Sequence, residues 1–316
     1  MKLPILKAFG ATYALVFGHF FDCLRIVWLP LAVISATRYW VGTKVLPALA
    51  DFIKNMPLTP ASKPDFAAII EMIRENPIYH DAIKSIMIAL PIALIFTLIL
   101  ITGLLRFSVR GQKPQLPFYI GSGADEIRLA LNVILVFLAT LGVSLAGSLG
   151  VGLVATIGLI ASPPVSALIT AIASFALDCV MIWFAVRLSL ANAATIGERT
   201  IGFGTSLRLT GGNFWRLLIF WILVVIPIIV IGCAIAGAAG STFWPYVAEM
   251  LDVAQQGEST AREHVREMLP KLLMAVQEHL PLLVAIGYVS AALILPIVIS
   301  ADGKENRKMT RNEDNE

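Results

Sequence analysis

The chain has 316 residues, 58% of them hydrophobic and 14% charged, with a mean hydropathy of +0.82. A soluble domain carries about 45–50% apolar and about 25% charged residues, so this composition excludes one and places the chain in a bilayer. The net charge of +3 is too mild, and the basic residues too scattered between apolar blocks, to indicate a nucleic-acid partner.

Charge-free runs define the elements, because a helix rising about 1.5 Å per residue needs about 20 apolar residues to cross about 30 Å of hydrocarbon. The first crossing is the hardest to place, since only 26–37 is clean between Arg25 and Arg38. We expect an interfacial helix over 8–21 and a span over 24–45 with Arg25 snorkelling to the headgroups. The alternative, one bent helix over 8–36, buries Asp22 and Arg25 together. In the loop that follows, Ser62-Lys-Pro-Asp65 reads as a capping box. Phe66, Ile69, Ile70 and Ile73 then recur at helical spacing as far as Pro77, which predicts an amphipathic helix.

Spans follow over 85–105, 129–158 and 165–186, the last two divided by the Ser162-Pro163-Pro164 turn that no continuous helix accommodates. A fifth span is expected over 217–239. Thr260-Ala-Arg-Glu263 is a second capping box, ahead of an amphipathic helix through Val265, Met268, Leu269, Leu272 and Val276, with Pro270 bending it. The last span covers 280–300, and residues 302–316, whose one apolar side chain is Met309, are expected to form a disordered cytoplasmic tail.

The predicted fold is an all-α polytopic membrane protein. It is a bundle of about six transmembrane helices with an N-terminal interfacial helix and amphipathic outer-loop helices, forming one integral membrane domain over 1–301. Basic residues choose its orientation. Lys2, Lys7 and Arg25, then Arg106, Arg110, Lys113 and Arg128, then Arg187, Arg199, Arg208 and Arg216, and finally Lys304, Arg307, Lys308 and Arg311 all fall on one side. By the positive-inside rule that side is cytoplasmic, with both termini on it. The first outer loop, with Lys44, Lys54, Lys63, Arg74 and Lys84, runs against this pattern. The apolar stretch after Lys7 has no small-residue cleavage site, so the N terminus is expected to be retained.

Asp178 is the most informative polar residue, because a carboxylate within a span costs about 2.5–3.5 kcal/mol and must be neutral, paired or near water. It lies nine residues before Arg187, about 13 Å deep, and Arg38 is the basic residue nearest to it in depth, about 18–20 Å from the same side. Three readings remain: a buried Asp178–Arg38 pair, a protonated Asp bonded to a hydroxyl, and a proton or ion relay. His19, Asp22 and Arg25 share one helix face and read as a polar stripe facing headgroups. Cys23, Cys179 and Cys233 lack metal or disulfide spacing, and no cofactor is expected. Small residues recur at four-residue spacing in 144–152 and 233–240, which suits close helix packing. The sequence contains no GxSxG, HExxH or Walker loop, so no enzymatic activity is expected.

The link after the fourth span is the most distinctive stretch. It runs Arg187-Leu-Ser-Leu-Ala-Asn-Ala193, then Glu198, then Gly204-Thr-Ser-Leu-Arg-Leu-Thr-Gly-Gly-Asn-Phe-Trp-Arg-Leu-Leu218. Together with Arg110-Gly-Gln-Lys-Pro114 and Leu116-Pro-Phe118, it resembles the membrane domain of glycerophosphoryl diester phosphodiesterases and related YciC-type bacterial inner-membrane proteins. The chain departs from that pattern in its long outer loops and at Gly211-Gly212, where the family carries a basic residue before the glycine. In that family the phosphodiesterase chemistry belongs to a separate soluble domain, which is not expected within these residues. The resemblance therefore implies a non-enzymatic protein supporting envelope or lipid homeostasis. Its contacts would be membrane lipids, including anionic ones, or another inner-membrane protein, and Arg187, Arg199, Arg208, Trp215 and Arg216 would meet headgroups or that partner. The alternative function is a secondary transporter or channel that uses Asp178.

Overall fold

The computed structural model describes residues 5–56, 66–114, 123–158, 163–254 and 258–313. The Ser62–Asp65 capping box, the Leu116-Pro-Phe118 stretch and Ser162 of the proline turn lie outside them. Eleven helices and no strand occur among the described residues: α1 (Ile5–Gly18), α2 (Phe20–Asn55), α3 (Phe66–Glu75), α4 (Pro77–Arg110), α5 (Ala124–Gly158), α6 (Pro163–Leu188), α7 (Ala191–Glu198), α8 (Phe203–Leu209), α9 (Phe214–Ala254), α10 (Glu258–Glu278) and α11 (Leu280–Glu313). Six stretches are long and apolar enough to cross a membrane: Phe20–Asn55, Pro77–Arg110, Ala124–Thr156, Val165–Glu198, Phe214–Ala234 and Leu280–Ala301. The protein is an all-α, multi-pass membrane protein. A bilayer core offers backbone groups no water, so the chain satisfies them within helices.

Helix boundaries follow local chemistry. α1 and α2 meet at His19, where bonds from His19 N–H to Leu15 O (3.1 Å) and from Cys23 N–H to His19 O (3.0 Å) carry the helical pattern over the joint. A second histidine, His279, joins α10 to α11 in the same way, donating to Ala275 O and accepting from Leu283 N–H. Pro77 does not merely end the preceding helix: it opens α4, with Asn76 as cap, its Oδ1 accepting from Ile78 N–H at 3.1 Å. Pro163 and Pro164 likewise open α6, where their missing N–H groups cost no helical bond. Thr260 lies inside α10, which runs from Glu258, and so does not cap it. α11 extends to Glu313, through a stretch for which composition predicts disorder. A helix already nucleated by a span adds one bond per residue fixed, which favours its continuation.

The chain divides into two compact units. The first comprises Met1–Val27, Leu98–Ile226 and Leu295–Glu316; the second comprises Trp28–Thr97 and Pro227–Ile294. In the second unit, Ala48, Tyr79 and Ala82 form a buried cluster joined by Phe52, Met72 and Ile73. Asp51 ties α2 to α4 there, accepting from Tyr79 O–H at 2.8 Å and Asn76 Nδ2 at 3.2 Å, and from Asn55 on its own helix at 2.8 Å. In the first unit, α5 and α6 pack along each other, with α7 and α8 against their ends. α6 has no buried residue in its span window and α5 few, so this pair is covered far less than the α2 and α4 windows are.

Candidate functional site

The densest polar structure lies in the first unit, where α4 ends and α5 begins. α4 stops at a left-handed glycine cap: Gly111, at φ +69°, donates to Phe107 O (3.0 Å), and Gln112 N–H donates to Arg106 O (3.3 Å). An L side chain rarely adopts that backbone conformation, which is why glycine stands there. The last turn of α4 presents Arg106 and Arg110 four residues apart, and the first turn of α5 presents Asp125 and Glu126. Arg110 Nη1 donates to Asp125 Oδ2 at 2.7 Å and Arg106 Nε to the same oxygen at 3.0 Å. Arg128 Nη1 reaches Asp125 Oδ1 at 3.2 Å, and Arg106 Nη2 reaches Glu126 Oε2 at 2.9 Å. Asp125 is 10% exposed, Arg106 18% and Arg110 16%. These charges are withdrawn from water and depend on one another. Three arginines against two carboxylates leave one net positive charge.

This cluster also positions the link that follows α6. Arg110 Nη2 donates to Ile196 O, satisfying a carbonyl in the last turn of α7. One turn deeper, Asn132 Nδ2 of α5 donates to Asn192 Oδ1 of α7 at 3.0 Å, and Asn132 is fully buried. α7 buries small residues, Ala191, Ala193, Ala194 and Thr195, together with one large one, Ile196. It ends at Arg199, in the left-handed region at φ 58°. Gly202 then packs directly on the backbone of α7, donating to Thr195 Oγ1 at 2.9 Å, and a Cβ there would overlap Ala191 O and Thr195 N.

The Ser-x-x-Leu-Thr pattern, a signature in sequence, has a structural task. Ser206 Oγ donates to Arg187 O at 2.7 Å and Thr210 Oγ1 to the same carbonyl at 3.3 Å, so α8 caps the end of α6. Beneath it Val186, Leu190, Leu209 and Leu217 form an apolar cluster with Phe214 and Leu218.

Of the five sequence-predicted contact residues, Arg199 and Arg208 lie on this link, Arg187 at the end of α6, and Trp215 and Arg216 at the start of α9. The Arg187 guanidinium lies over the Trp183 ring, 5.4 Å from its centroid, while its Nε is buried and has no hydrogen-bond partner among the described residues. Arg199 and Arg208 are exposed, and Arg216 is half-buried at the start of α9. Trp215 is 71% exposed, edge-on to Phe214 at 5.1 Å, and Trp183 is 47% exposed. Cations beside exposed indoles suit a headgroup layer, where an apolar ring body and a polar edge are both satisfied.

Asp178 and Arg38 are placed differently. Asp178 is exposed on α6, in the first unit, and Arg38 is exposed on α2, in the second. Neither takes part in an ion pair given by the described residues. His19 and Asp22 do come together, Nδ1 to Oδ2 at 3.4 Å, with Lys113 Nζ 3.8 Å from the same carboxylate. Sequence reasoning missed the Asp125 cluster. Its signal was present as two acids opening one helix and two arginines four apart closing the one before, but each half has an ordinary local explanation. No group of three potential metal ligands occurs among the described residues. Comparison of the chain with family models, characterised proteins and solved structures finds no match.

Two adjacent glycines test the packing of the link. Gly202→Ala forces a methyl group into backbone and is expected to lower stability by about 1–3 kcal/mol. Gly204→Ala, in α8 with open space around it, should be neutral or stabilising by up to about 1 kcal/mol. Thermal unfolding of the two variants in detergent, compared with wild type, checks both signs.

Proposed function

We propose that the chain is a non-enzymatic inner-membrane protein that supports envelope or lipid homeostasis through contacts with anionic lipids or a partner membrane protein. The observation that carries this reading is the run of arginines in and beside the α7–α8 link, with Arg187 over the exposed Trp183 ring, Arg199 and Arg208 exposed, and Trp215 exposed next to Arg216. Each basic group near a negatively charged leaflet contributes about 1 kcal/mol of attraction, so three or four together give a lasting lipid contact. The hydroxyls of the same motif are engaged in capping α6. Arg208 and Trp215 of that motif are exposed, which accords with the resemblance to phosphodiesterase membrane domains and YciC-type proteins. The transporter reading built on Asp178 has no observation in its favour beyond the residue's place in α6, where it is exposed.

In the proposed orientation both termini and the α7–α8 link are cytoplasmic, and α3 and α10 face the other side. Membrane-impermeant thiol labelling from outside should modify a cysteine introduced at Ala68 or Arg262 and spare one at Thr205. The reverse pattern would invert the assignment.

A strain lacking the protein should be sensitised to osmotic, detergent or temperature stress. Wild-type protein should restore resistance, and an equally expressed Arg199→Gln, Arg208→Gln, Arg216→Gln variant should not. A deletion strain indistinguishable from its parent under all three stresses would remove the reading.

A further inference from the structure

Two spans each carry a charge at an exposed position within their length. Asp178 is exposed on α6, the fourth crossing, whose span window buries no residue. Arg38 is exposed on α2, the first crossing. Neither is in an ion pair among the described residues. On a soluble protein water would satisfy both groups. The surface of a span meets lipid instead, where an ionised side chain is costly until it finds a counter-charge. The face that carries Asp178 admits another helix, because Ser174 and Ala171, four and seven residues before it, are small and exposed.

The two charges are opposite and complementary in depth. Asp178 lies about 13 Å from the level of Arg187, and Arg38 about 18–20 Å from the level of Arg25 on the same side, a gap of about 5–7 Å along the membrane normal. Crossing first and fourth, α2 and α6 run in opposite senses. Side chains lean toward the N-terminus of their own helix, so Arg38 leans back toward the level of Arg25 while Asp178 leans away from the level of Arg187. Each thus leans toward the other's depth, and a guanidinium on its alkyl stem covers the remaining distance. A second copy of this chain presents both members of the pair. We infer that the protein self-associates in the membrane through an ion pair between Asp178 of one copy and Arg38 of another. A closed dimer makes such a contact twice, because a twofold axis repeats it. The inference is independent of the basic residues around the α7–α8 link.

Energy transfer between donor- and acceptor-tagged copies of the full chain, reconstituted together in phosphatidylcholine vesicles, tests this. Wild-type copies should associate, and Asp178→Asn or Arg38→Gln in both copies should weaken association at least about tenfold. Charge reversal separates a pair between copies from a pair within one. An Asp178→Arg chain offers only cations at the two positions and an Arg38→Asp chain only anions, so each should fail to associate with itself. Mixed together, the two reversed variants should associate as wild type does, since each supplies the charge that the other lacks. An absence of transfer between wild-type copies, or transfer undiminished in both the Asn and the Gln variant, would overturn the inference. So would a mixture of the reversed variants that shows no transfer although both unfold at the wild-type temperature.

Discussion

A carboxylate shared by three arginines holds the described part of the first unit together. Asp125 is almost removed from water, and its desolvation is offset only because Arg106, Arg110 and Arg128 all donate to it. The consequences extend along the chain. Arg110 also donates from Nη2 to the Ile196 carbonyl, so the junction of α4 and α5 is tied to α7. Gly202 lies flat on α7, and α8 with its C-cap then places Ser206 and Thr210 on the Arg187 carbonyl near the end of α6. The link is thus a connected run of buried polar contacts, and the exposed arginines and tryptophans at its surface owe their arrangement to it.

Much of the architecture was legible because the bilayer imposes a simple length rule. Long, nearly charge-free runs have few alternatives to a spanning helix, and six helices long and apolar enough to cross are present among the described residues, the first and fourth with charges inside them. Their ends were less legible. α2 and α4 run well beyond the apolar runs that announced them, since a helix adds polar turns cheaply once it has formed. Pro77 and Pro163 read as breaks, and in the fold they start helices, where a missing N–H goes unnoticed. The histidine joint between α1 and α2 separates two helices, as expected, at a position that no composition rule specifies.

The site was legible in its residues and not in its contacts. Arg187, Arg208, Trp215 and Arg216 stand out as an unusual stretch, but Ser206 and Thr210 look equally unusual and turn inward to cap α6. Sequence spacing cannot separate an outward from an inward task in a link whose helices are one or two turns long. Asp125 escaped notice for a related reason. Its partners lie three, fifteen and nineteen residues away, and the two distant ones are close only because the end of α4 meets the start of α5. Asp178 attracted attention because charge within a span is costly, yet cost alone does not tell a residue where to point.

The central claim is that the Asp125 cluster holds the α7–α8 link in place. Hydrogen–deuterium exchange of the Asp125→Asn protein tests it directly, because the substitution keeps the shape and removes the charge that Arg110 and Arg106 share. Breaking a buried charge pair costs about 3–5 kcal/mol, so amides of α7 and α8 should lose at least about a hundredfold in protection while the middle of α4 remains protected. Unchanged exchange across 191–209 would contradict the account.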